Sequence, residues 1–308
     1  FSLRPLSTPL DELLTPAPPR LPVERTTLPF RDERAIIKTR ESGATLFDGV
    51  TFAFDALDLD TPRLGARIGS YFDHMATCVA LEWELLEGGA TPHRDALHAV
   101  LAPSDVMTSG AGRSAAIGVN TLVVYRDENA YYALIGQRSN ETAHKPGALH
   151  VLPAFTFQPS QRDYPYYEWG LTYHIIREYL EELYGVPEAE QGTTPSSITA
   201  TEHPAKARLH DMVRAGAASL ELTGMTCNLM TTHVSVCVLL LIHAPSWVDD
   251  YREQSLTWET QTVYEVPIAT DSVIVDTLPH DAYLNFAPNG ASAFWLGVDR
   301  ARERLGLL

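Results

Sequence analysis

Cysteine is scarce in this sequence of 308 residues. The three cysteines, Cys78, Cys227 and Cys237, are an odd number, and the last two lie in apolar stretches. They show none of the Cys/His spacings that are typical of a zinc site. We therefore expect buried free thiols in a reducing compartment, which favours a cytoplasmic protein.

Basic residues are also few. The sequence has 23 Lys and Arg against 39 Asp and Glu, so its formal net charge is −16. Nucleic acids and anionic membrane surfaces require a basic face, so we expect neither as a partner. The longest apolar run, residues 234–243, is too short to span a bilayer. A small anionic ligand is compatible with this charge if a metal ion and a few arginines hold it.

Three familiar catalytic motifs are missing: the Gly-x-Ser-x-Gly elbow, the P-loop and His-Glu-x-x-His. Nothing therefore supports a serine or cysteine nucleophile. The fragment Gly110-Ala111-Gly112 resembles the start of a dinucleotide-binding loop, but it lacks a preceding hydrophobic strand and a third glycine. We expect it to belong to a connection over residues 102–117.

The distribution of proline and apolar residues predicts three regions. Residues 1–30 contain seven prolines and predict an extended arm or a disordered leader. Residues 31–110 predict an N-terminal α+β region, and residues 115–308 predict a larger domain. An arm of this kind could embrace a second subunit, so a homodimer is one open arrangement.

Short strands and helices are predicted along most of the chain. In the N-terminal α+β region, strands are predicted at 35–37 and 50–54, and a helix at 64–86. A β-hairpin is predicted from strands at 119–125 and 131–136. Further predicted strands lie at 149–157, 219–230, 232–243 and 263–268, and further predicted helices at 205–217, 246–253 and 288–307. Strands flanked by helices in this order predict an α/β/α sandwich with a mixed sheet.

Residues 173–186 predict one amphipathic helix, around which the rest of the chain is organised. Its apolar stripe has helical spacing and consists of Ile175, Tyr179, Leu180 and Leu183. Gly185 predicts the end of the helix, and a proline follows within the usual distance.

Three glutamates share one side of this helix. Glu178, Glu181 and Glu182 are spaced at i, i+3 and i+4, so their carboxylates repel each other. They lie in the C-terminal half of the helix, where the helix dipole disfavours negative charge. A cation would relieve this cost, and hard oxygen donors suit Mg²⁺ or Mn²⁺. The alternative is an ordinary solvated helix face.

Residues 177–186 resemble the second half of the Nudix box, Arg-Glu-hydrophobic-x-Glu-Glu-x-Gly-hydrophobic. Upstream, Leu152-Pro153-Ala154-Phe155 resembles the strand end that carries Pro-Gly-Gly in that family. The order of hairpin, strand, loop and acidic helix extends the resemblance over residues 117–250. Two departures are an extra residue before Gly185 and a glutamate, Glu168, that lies one position earlier than the box expects.

The resemblance implies a Nudix-like fold for residues 115–308 and a hydrolase that cleaves a phosphoanhydride in a small, nucleoside diphosphate-like substrate. Mg²⁺ or Mn²⁺ would be its cofactor. It implies catalytic roles for Glu178 and Glu182. The implied metal ligands are Glu168, Glu178, Glu181 and Glu182, and Arg177 would form an internal salt bridge. The departures favour a second hypothesis, a Nudix-fold protein that binds a ligand or regulates without hydrolysis.

Other side chains are candidates around this helix. Arg138 and Lys145 are candidate phosphate-binding residues, with ordinary surface charge as the alternative. Four aromatic residues could stack on a flat ligand or serve as packing, and Tyr167 is our candidate substrate contact; the four are Tyr164, Tyr166, Tyr167 and Trp169. Three histidines are expected to be neutral and structural: His144, His150 and His174. Glu259 is a candidate for a remote acid or base.

Overall fold

The structure of the chain is a computed structural model. It describes residues 2–3, 8–16, 21–43, 46–140, 145–160, 165–187, 203–254 and 260–308, without the side chains of residues 2, 3, 165, 166 and 283. Three of the candidates named above, His144, Tyr164 and Glu259, lie outside the described residues, as does the side chain of Tyr166.

Groups of strands and groups of helices follow one another along the described chain. The strands are β1 Ser2–Leu3, β2 Val50–Asp58, β3 Arg63–Ser70, β4 Gly118–Asp127, β5 Ala130–Arg138, β6 Leu149–Val151, β7 Ala154–Thr156, β8 Ala218–Asn228, β9 His233–Ile242 and β10 Thr260–Pro267. The helices are α1 Arg34–Glu41, α2 Tyr71–His74, α3 Ala80–Glu87, α4 Pro92–His98, α5 Leu171–Tyr184, α6 Pro204–Arg214, α7 Ser246–Arg252, α8 Asp271–Thr277, α9 Ala282–Asn285 and α10 Pro288–Leu305. A π-helical turn, Met75–Val79, joins α2 to α3, and a 3₁₀ turn spans Asp11–Leu13.

The central sheet is mixed. Its strand order is β1-β8-β9-β4-β5-β10, with β6 paired to β5 and β7 paired to β4. Strands β4 and β9 run parallel, and β4 pairs antiparallel with β5 and β7. Strands β2 and β3 form a separate two-stranded sheet.

Helices cover both faces of the central sheet. On one face, α10 buries Phe294, Leu296 and Val298 against Leu122 of β4 and its neighbours. On the other face, α5, α6 and α7 share a second core with β4, β8 and β9. These layers confirm the predicted α/β/α sandwich with a mixed sheet. No helix in the described part of the chain is long and apolar enough to cross a membrane.

The N-terminal region shares a core with the sheet. Phe52 of β2 and Leu64 of β3 are fully buried in the same cluster as Phe157 and Ile175. The connection over residues 102–117 also lies in this cluster, because Val106, Met107 and Ala115 are buried there. The three free cysteines are buried too, as predicted. The division into residues 1–30, 31–110 and 115–308 remains a prediction.

The predicted strand at 35–37 is wrong, because these residues lie in α1. The Asp32 carboxylate accepts a hydrogen bond from the N–H of Arg34 at 3.0 Å, which supports the first turn. Ala35, Ile36 and Thr39 are buried on one side of the helix. Three apolar residues in a row are too few to tell a strand from one helical face.

The predicted helix at 64–86 is wrong in its first part. Residues 63–70 form β3, which pairs with β2 from Asp58↔Arg63 to Val50↔Ser70. Leu64 and Ile68 are four residues apart, which places them on one face of a helix and equally on one face of a strand. The helical part begins at Tyr71, where the Ser70 hydroxyl accepts a hydrogen bond from the N–H of Asp73.

The predicted hairpin is confirmed, and the strand after it is divided. Strands β4 and β5 pair with Asp127 opposite Ala130, so the turn has two residues. The single strand predicted at 149–157 consists of β6 and β7, because Leu152-Pro153 separates them. Strand β6 pairs with β5 and β7 with β4, which brings residue 154 beside the acidic helix.

Candidate functional site

Helix α5 is the predicted carboxylate helix, and it begins two residues earlier than expected, at Leu171. Gly185 ends it as predicted: its backbone is left-handed, with φ 63°, and its N–H donates to the carbonyl of Leu180. Ile175 packs into the core shared with the N-terminal region, and the other three stripe residues pack toward α6 and α7. The helix is therefore held by buried contacts along its length.

Five charged residues form what we call the box cluster: Glu168, Arg177, Glu178, Glu181 and Glu182. Arg177 Nη2 lies 2.5 Å from Glu178 Oε1, and its Nε lies 3.7 Å from Glu181 Oε1. Its Nη1 lies 4.0 Å from Glu168 Oε2, so the glutamate that is out of register in the sequence joins the cluster. The side chains of Arg177 and Glu178 are only 9% and 12% exposed. The alternative of an ordinary solvated helix face is therefore wrong.

Arg177 is a permanent cation at the centre of this cluster. Burial by itself would lower its pKa, because it disfavours the charged form. The negative charges of Glu178 and Glu181, together with the hydrogen bond to Glu178, outweigh burial and raise the pKa above its ordinary value. Its position agrees with the internal salt bridge that the resemblance implies.

Glu182 lies at the edge of the box cluster and faces a small cleft. Its Oε1 accepts a hydrogen bond from the N–H of Ala154 at 2.8 Å, which joins α5 to β7. The cleft is lined by Glu182 together with Arg138, His150, Ala154 and Thr260. Its volume of about 10 Å³ is room for about one water molecule. The structure thus brings together Arg138 and Glu182, two residues that are 44 apart in the sequence.

Thr260 is a cleft residue that the sequence did not indicate. It is the first residue of β10, and the antiparallel pairing of β10 with β5 places it opposite Arg138. The Nε atom of Arg138 is buried without a hydrogen-bond partner among the described residues. No local sequence pattern indicates Thr260, since its position depends on pairing between strands more than a hundred residues apart.

His150 and His174 are neutral, as predicted. Burial lowers the pKa of His150 to about 3, helped by the nearby charge of Arg138. Burial also lowers the pKa of His174 well below its ordinary value. His174 Nε2 donates to the carbonyl of Glu168 at 2.8 Å, and its ring packs edge-on against Phe157. His174 is therefore a structural residue that joins α5 to the core.

Three other candidates lie away from the cleft lining. Lys145 forms an ion pair with Glu82 of α3. Tyr167 is 77% exposed in the 3₁₀ turn that precedes α5. The Trp169 ring stacks on Phe157 at 5.3 Å, so packing is the role that the structure gives it. Ligand-binding roles for Lys145 and Tyr167 remain predictions.

The box cluster suits a divalent cation in donor type and in charge. It holds four carboxylates and one guanidinium, so a cation would offset a surplus of negative charge in a largely buried place. The positions of the side chains differ from those of a formed metal site. Within the described residues, no group of three or more His, Cys, Asp or Glu side chains is arranged to hold a metal ion. Binding would require Glu178 and Glu182 to turn from Arg177 and Ala154.

The similarity of this chain to known proteins is low. No protein-family model matches the sequence, and no curated protein matches it either. One similar solved structure is the Nudix domain of Shewanella oneidensis NrtR in complex with ADP-ribose, at 14% identity, covering 63% of this chain and 90% of that one, with a TM-score of 0.35. Another is RenU, a Nudix hydrolase from M. smegmatis, at 12% identity, covering 68% and 96% of the two chains, with a TM-score of 0.26.

Both TM-scores are below 0.5, so these two structures do not establish the fold of this chain. The order of the strands and helices can instead be compared with the order that the Nudix resemblance expects. A mixed sheet lies between α10 on one face and α5 on the other, and α5 follows a hairpin and the broken strand β6–β7. These elements follow one another in the order that the Nudix resemblance expects.

Proposed function

We propose that this protein is a Mg²⁺- or Mn²⁺-dependent Nudix-type hydrolase that cleaves a phosphoanhydride in a small, nucleoside diphosphate-like substrate. One observation carries the proposal: Arg138 and Glu182 line the same cleft. A guanidinium beside a carboxylate-rich helix places a phosphate-binding cation next to the groups that would hold a metal ion.

Each residue has a specific role in this proposal. Arg138 binds and orients the phosphate groups of the substrate through its guanidinium. Glu182 accepts the proton of the attacking water at its carboxylate, and Glu178 orients that water. The metal-holding residues are Glu168, Glu178, Glu181 and Glu182. If these residues held Mg²⁺ or Mn²⁺, the ion would neutralise charge on the diphosphate and acidify the water.

Lys145 and Tyr167 complete the proposed substrate site. Lys145 reaches a phosphate only after it leaves its ion pair with Glu82. Tyr167 offers an exposed ring on which a flat group can stack. The net charge of −16 repels a polyphosphate at long range, so a divalent cation also lowers the barrier to approach.

A second candidate is a Nudix-fold protein that binds its ligand without hydrolysis. The ion-pair and hydrogen-bond partners of the glutamates in the structure favour this second candidate. Glu178 is bound to Arg177 at 2.5 Å, and Glu182 is bound to the N–H of Ala154 at 2.8 Å. In this candidate these bonds persist, Arg138 binds an anionic ligand, and the box cluster serves as a structural ion-pair network.

Metal binding separates the two candidates. Mn²⁺ is titrated to millimolar concentration and its binding is followed by electron paramagnetic resonance. The hydrolase predicts binding that is lost in Glu181→Gln and retained in Glu253→Gln, an exposed glutamate elsewhere. If no Mn²⁺ binds, the hydrolase proposal is wrong.

The substrate is then identified by chromatography of the reaction products, because cleavage between two substituted phosphates leaves two phosphomonoesters and no free phosphate. The panel contains nucleoside diphosphate sugars, dinucleotides and prenyl diphosphates, each with Mg²⁺. Arg138→Ala is expected to raise KM about 10- to 100-fold, since it removes a charged hydrogen-bond donor to phosphate. The matched control is Arg214→Ala, an exposed arginine on α6. Equal KM values in the two variants would contradict the role of Arg138.

A further inference from the structure

The N-terminal arm, residues 1–30, reaches the beginning of α5. Its 3₁₀ turn, Asp11–Leu13, is anchored because Leu10, Leu13 and Leu14 are buried in the core that also contains Leu171. The backbone carbonyl of Thr15 accepts a hydrogen bond from the Trp169 indole at 3.2 Å. The arm is therefore attached on both sides of its turn to the segment where α5 begins.

Asp11 occupies the place of a helix cap. Its Oδ1 accepts a hydrogen bond from the N–H of Thr172 at 3.2 Å, and Thr172 is the second residue of α5. A cap residue normally supplies this acceptor from the position before the helix, but that position is Gly170, which has no side chain. The negative charge of Asp11 also lies at the positive end of the helix dipole.

The first turn of α5 and Ser160 together hold Glu168. The Glu168 carboxylate accepts hydrogen bonds from the backbone N–H of Ser160 at 2.8 Å and from its hydroxyl at 2.9 Å. The backbone carbonyl of Glu168 accepts hydrogen bonds from Gly170 N–H at 3.0 Å and from His174 Nε2 at 2.8 Å. Its carboxylate lies 4.0 Å from Arg177, two turns along the helix. If the first turn frays, the backbone carbonyl of Glu168 loses its bonds to Gly170 and His174. Ser160 alone then holds the Glu168 carboxylate, and the distance to Arg177 is no longer fixed from the side of the helix.

We propose that Asp11 is a positioning residue for the box cluster: by capping α5 from the N-terminal arm, it holds Glu168 against Arg177. The cap is supplied from about 160 residues away, so the arm becomes part of the site without touching the ligand. The effect on catalysis rests on the proposed hydrolase, but the cap and the placement of Glu168 do not.

The test compares three variants of the full chain. Asp11→Ala removes the acceptor, Asp11→Asn keeps an acceptor oxygen, and Glu12→Ala removes the neighbouring carboxylate of the same 3₁₀ turn as a control. In Asp11→Ala, we expect the Thr172 amide to exchange with solvent about 2- to 30-fold faster, the range that follows from loss of a cap. Asp11→Asn restores protection, and Glu12→Ala leaves it unchanged.

Two further readouts test positioning. The ¹³C resonance of the Glu168 carboxyl group is expected to shift in Asp11→Ala alone, which reports its separation from Arg177 without any need for activity. With a substrate in hand, kcat falls about 10- to 100-fold and KM changes less than about threefold. If the Thr172 amide exchanges with solvent at an unchanged rate in Asp11→Ala, Asp11 does not cap α5. If that exchange is faster but the Glu168 carboxyl resonance does not shift, Asp11 does not position Glu168. If the wild-type protein hydrolyses nothing, the proposed function fails while these two readouts still decide the inference.

Discussion

The carboxylate of Glu182 accepts a hydrogen bond from the backbone N–H of Ala154 at 2.8 Å. Ala154 begins β7, at the point where the Nudix resemblance expects glycine, and Glu182 lies in the last turn of α5. The bond fixes the helix against the sheet and directs a carboxylate to the cleft that contains Arg138. A single contact therefore links the strand end, the acidic helix and the proposed ligand site.

Glu182→Gln should separate the structural and chemical roles of this side chain. The amide keeps an oxygen for the Ala154 N–H, so the free energy of unfolding should change by less than about 1 kcal/mol. Hydrolysis should fall at least about 100-fold, because a proton acceptor is lost. Urea unfolding measures the first effect, and chromatography of the reaction products measures the second. Glu253→Gln is the control, and retained activity in Glu182→Gln would refute the role of proton acceptor.

Arg177→Ala should be strongly destabilising. Removing the guanidinium leaves Glu168, Glu178 and Glu181 without their shared cation in a largely buried place. The expected loss is about 3–5 kcal/mol of unfolding free energy by urea denaturation. The exposed Arg214→Ala, which breaks an ion pair within α6, should cost less than about 1 kcal/mol. Similar losses in both variants would show that the box cluster is not a cooperative network.

Acid should destabilise the protein through its buried histidines. Burial lowers the pKa of His150 to about 3 and that of His233 to about 4, both below the ordinary value near 6.5. As the pH falls below about 6.5, these histidines bind protons in the unfolded chain but not in the folded chain. Their contribution to the free energy of unfolding is therefore fully present above that pH and is lost toward pH 4. Each such histidine contributes about 1.4 kcal/mol per pH unit within this window.

His150→Asn isolates this contribution. The slope of unfolding free energy against pH, measured by urea denaturation between pH 6.0 and 4.5, should decrease by about 1.4 kcal/mol per unit whatever the absolute stability of the variant. The exposed His210→Asn should leave the slope unchanged. An unaltered slope in His150→Asn would mean that His150 is protonated in the folded state.

Gly110→Ala should disrupt the contact between β2 and the connection over residues 102–117. A Cβ atom at this position would lie 2.0 Å from the carbonyl oxygen of Phe54, and the N–H of Gly110 already donates to Asp55. We expect a loss of about 3 kcal/mol or more by thermal or urea unfolding. At Gly65 of β3 the nearest atoms to such a Cβ lie at 3.6 Å, so Gly65→Ala should change stability by less than about 1 kcal/mol. Equal effects would contradict the close approach.

The local sequence pattern was enough to predict the elements that have clear periodicity and clear turn residues. The β4–β5 hairpin, the paired strands β8 and β9, and helices α5 and α10 all lie where periodicity and turn residues predicted them. Pattern failed where it was short or ambiguous: three apolar residues in α1 suggested a strand, and apolar residues of β3 at a spacing of four suggested a helix. The small residues of 102–117 suggested a connection between regions, and in the structure Gly110 allows a close approach to β2.

The sequence by itself determined that one acidic amphipathic helix follows a hairpin, because helical periodicity and the stop at Gly185 are local properties. Only the tertiary structure decided what surrounds that helix. Arg138 and Thr260 meet through the pairing of β5 with β10. Asp11 reaches Thr172 because Leu10, Leu13 and Leu14 are buried in the same core as Leu171 of α5. Contacts between residues so far apart depend on strand order and on packing of the core, and no short stretch of sequence encodes either of them.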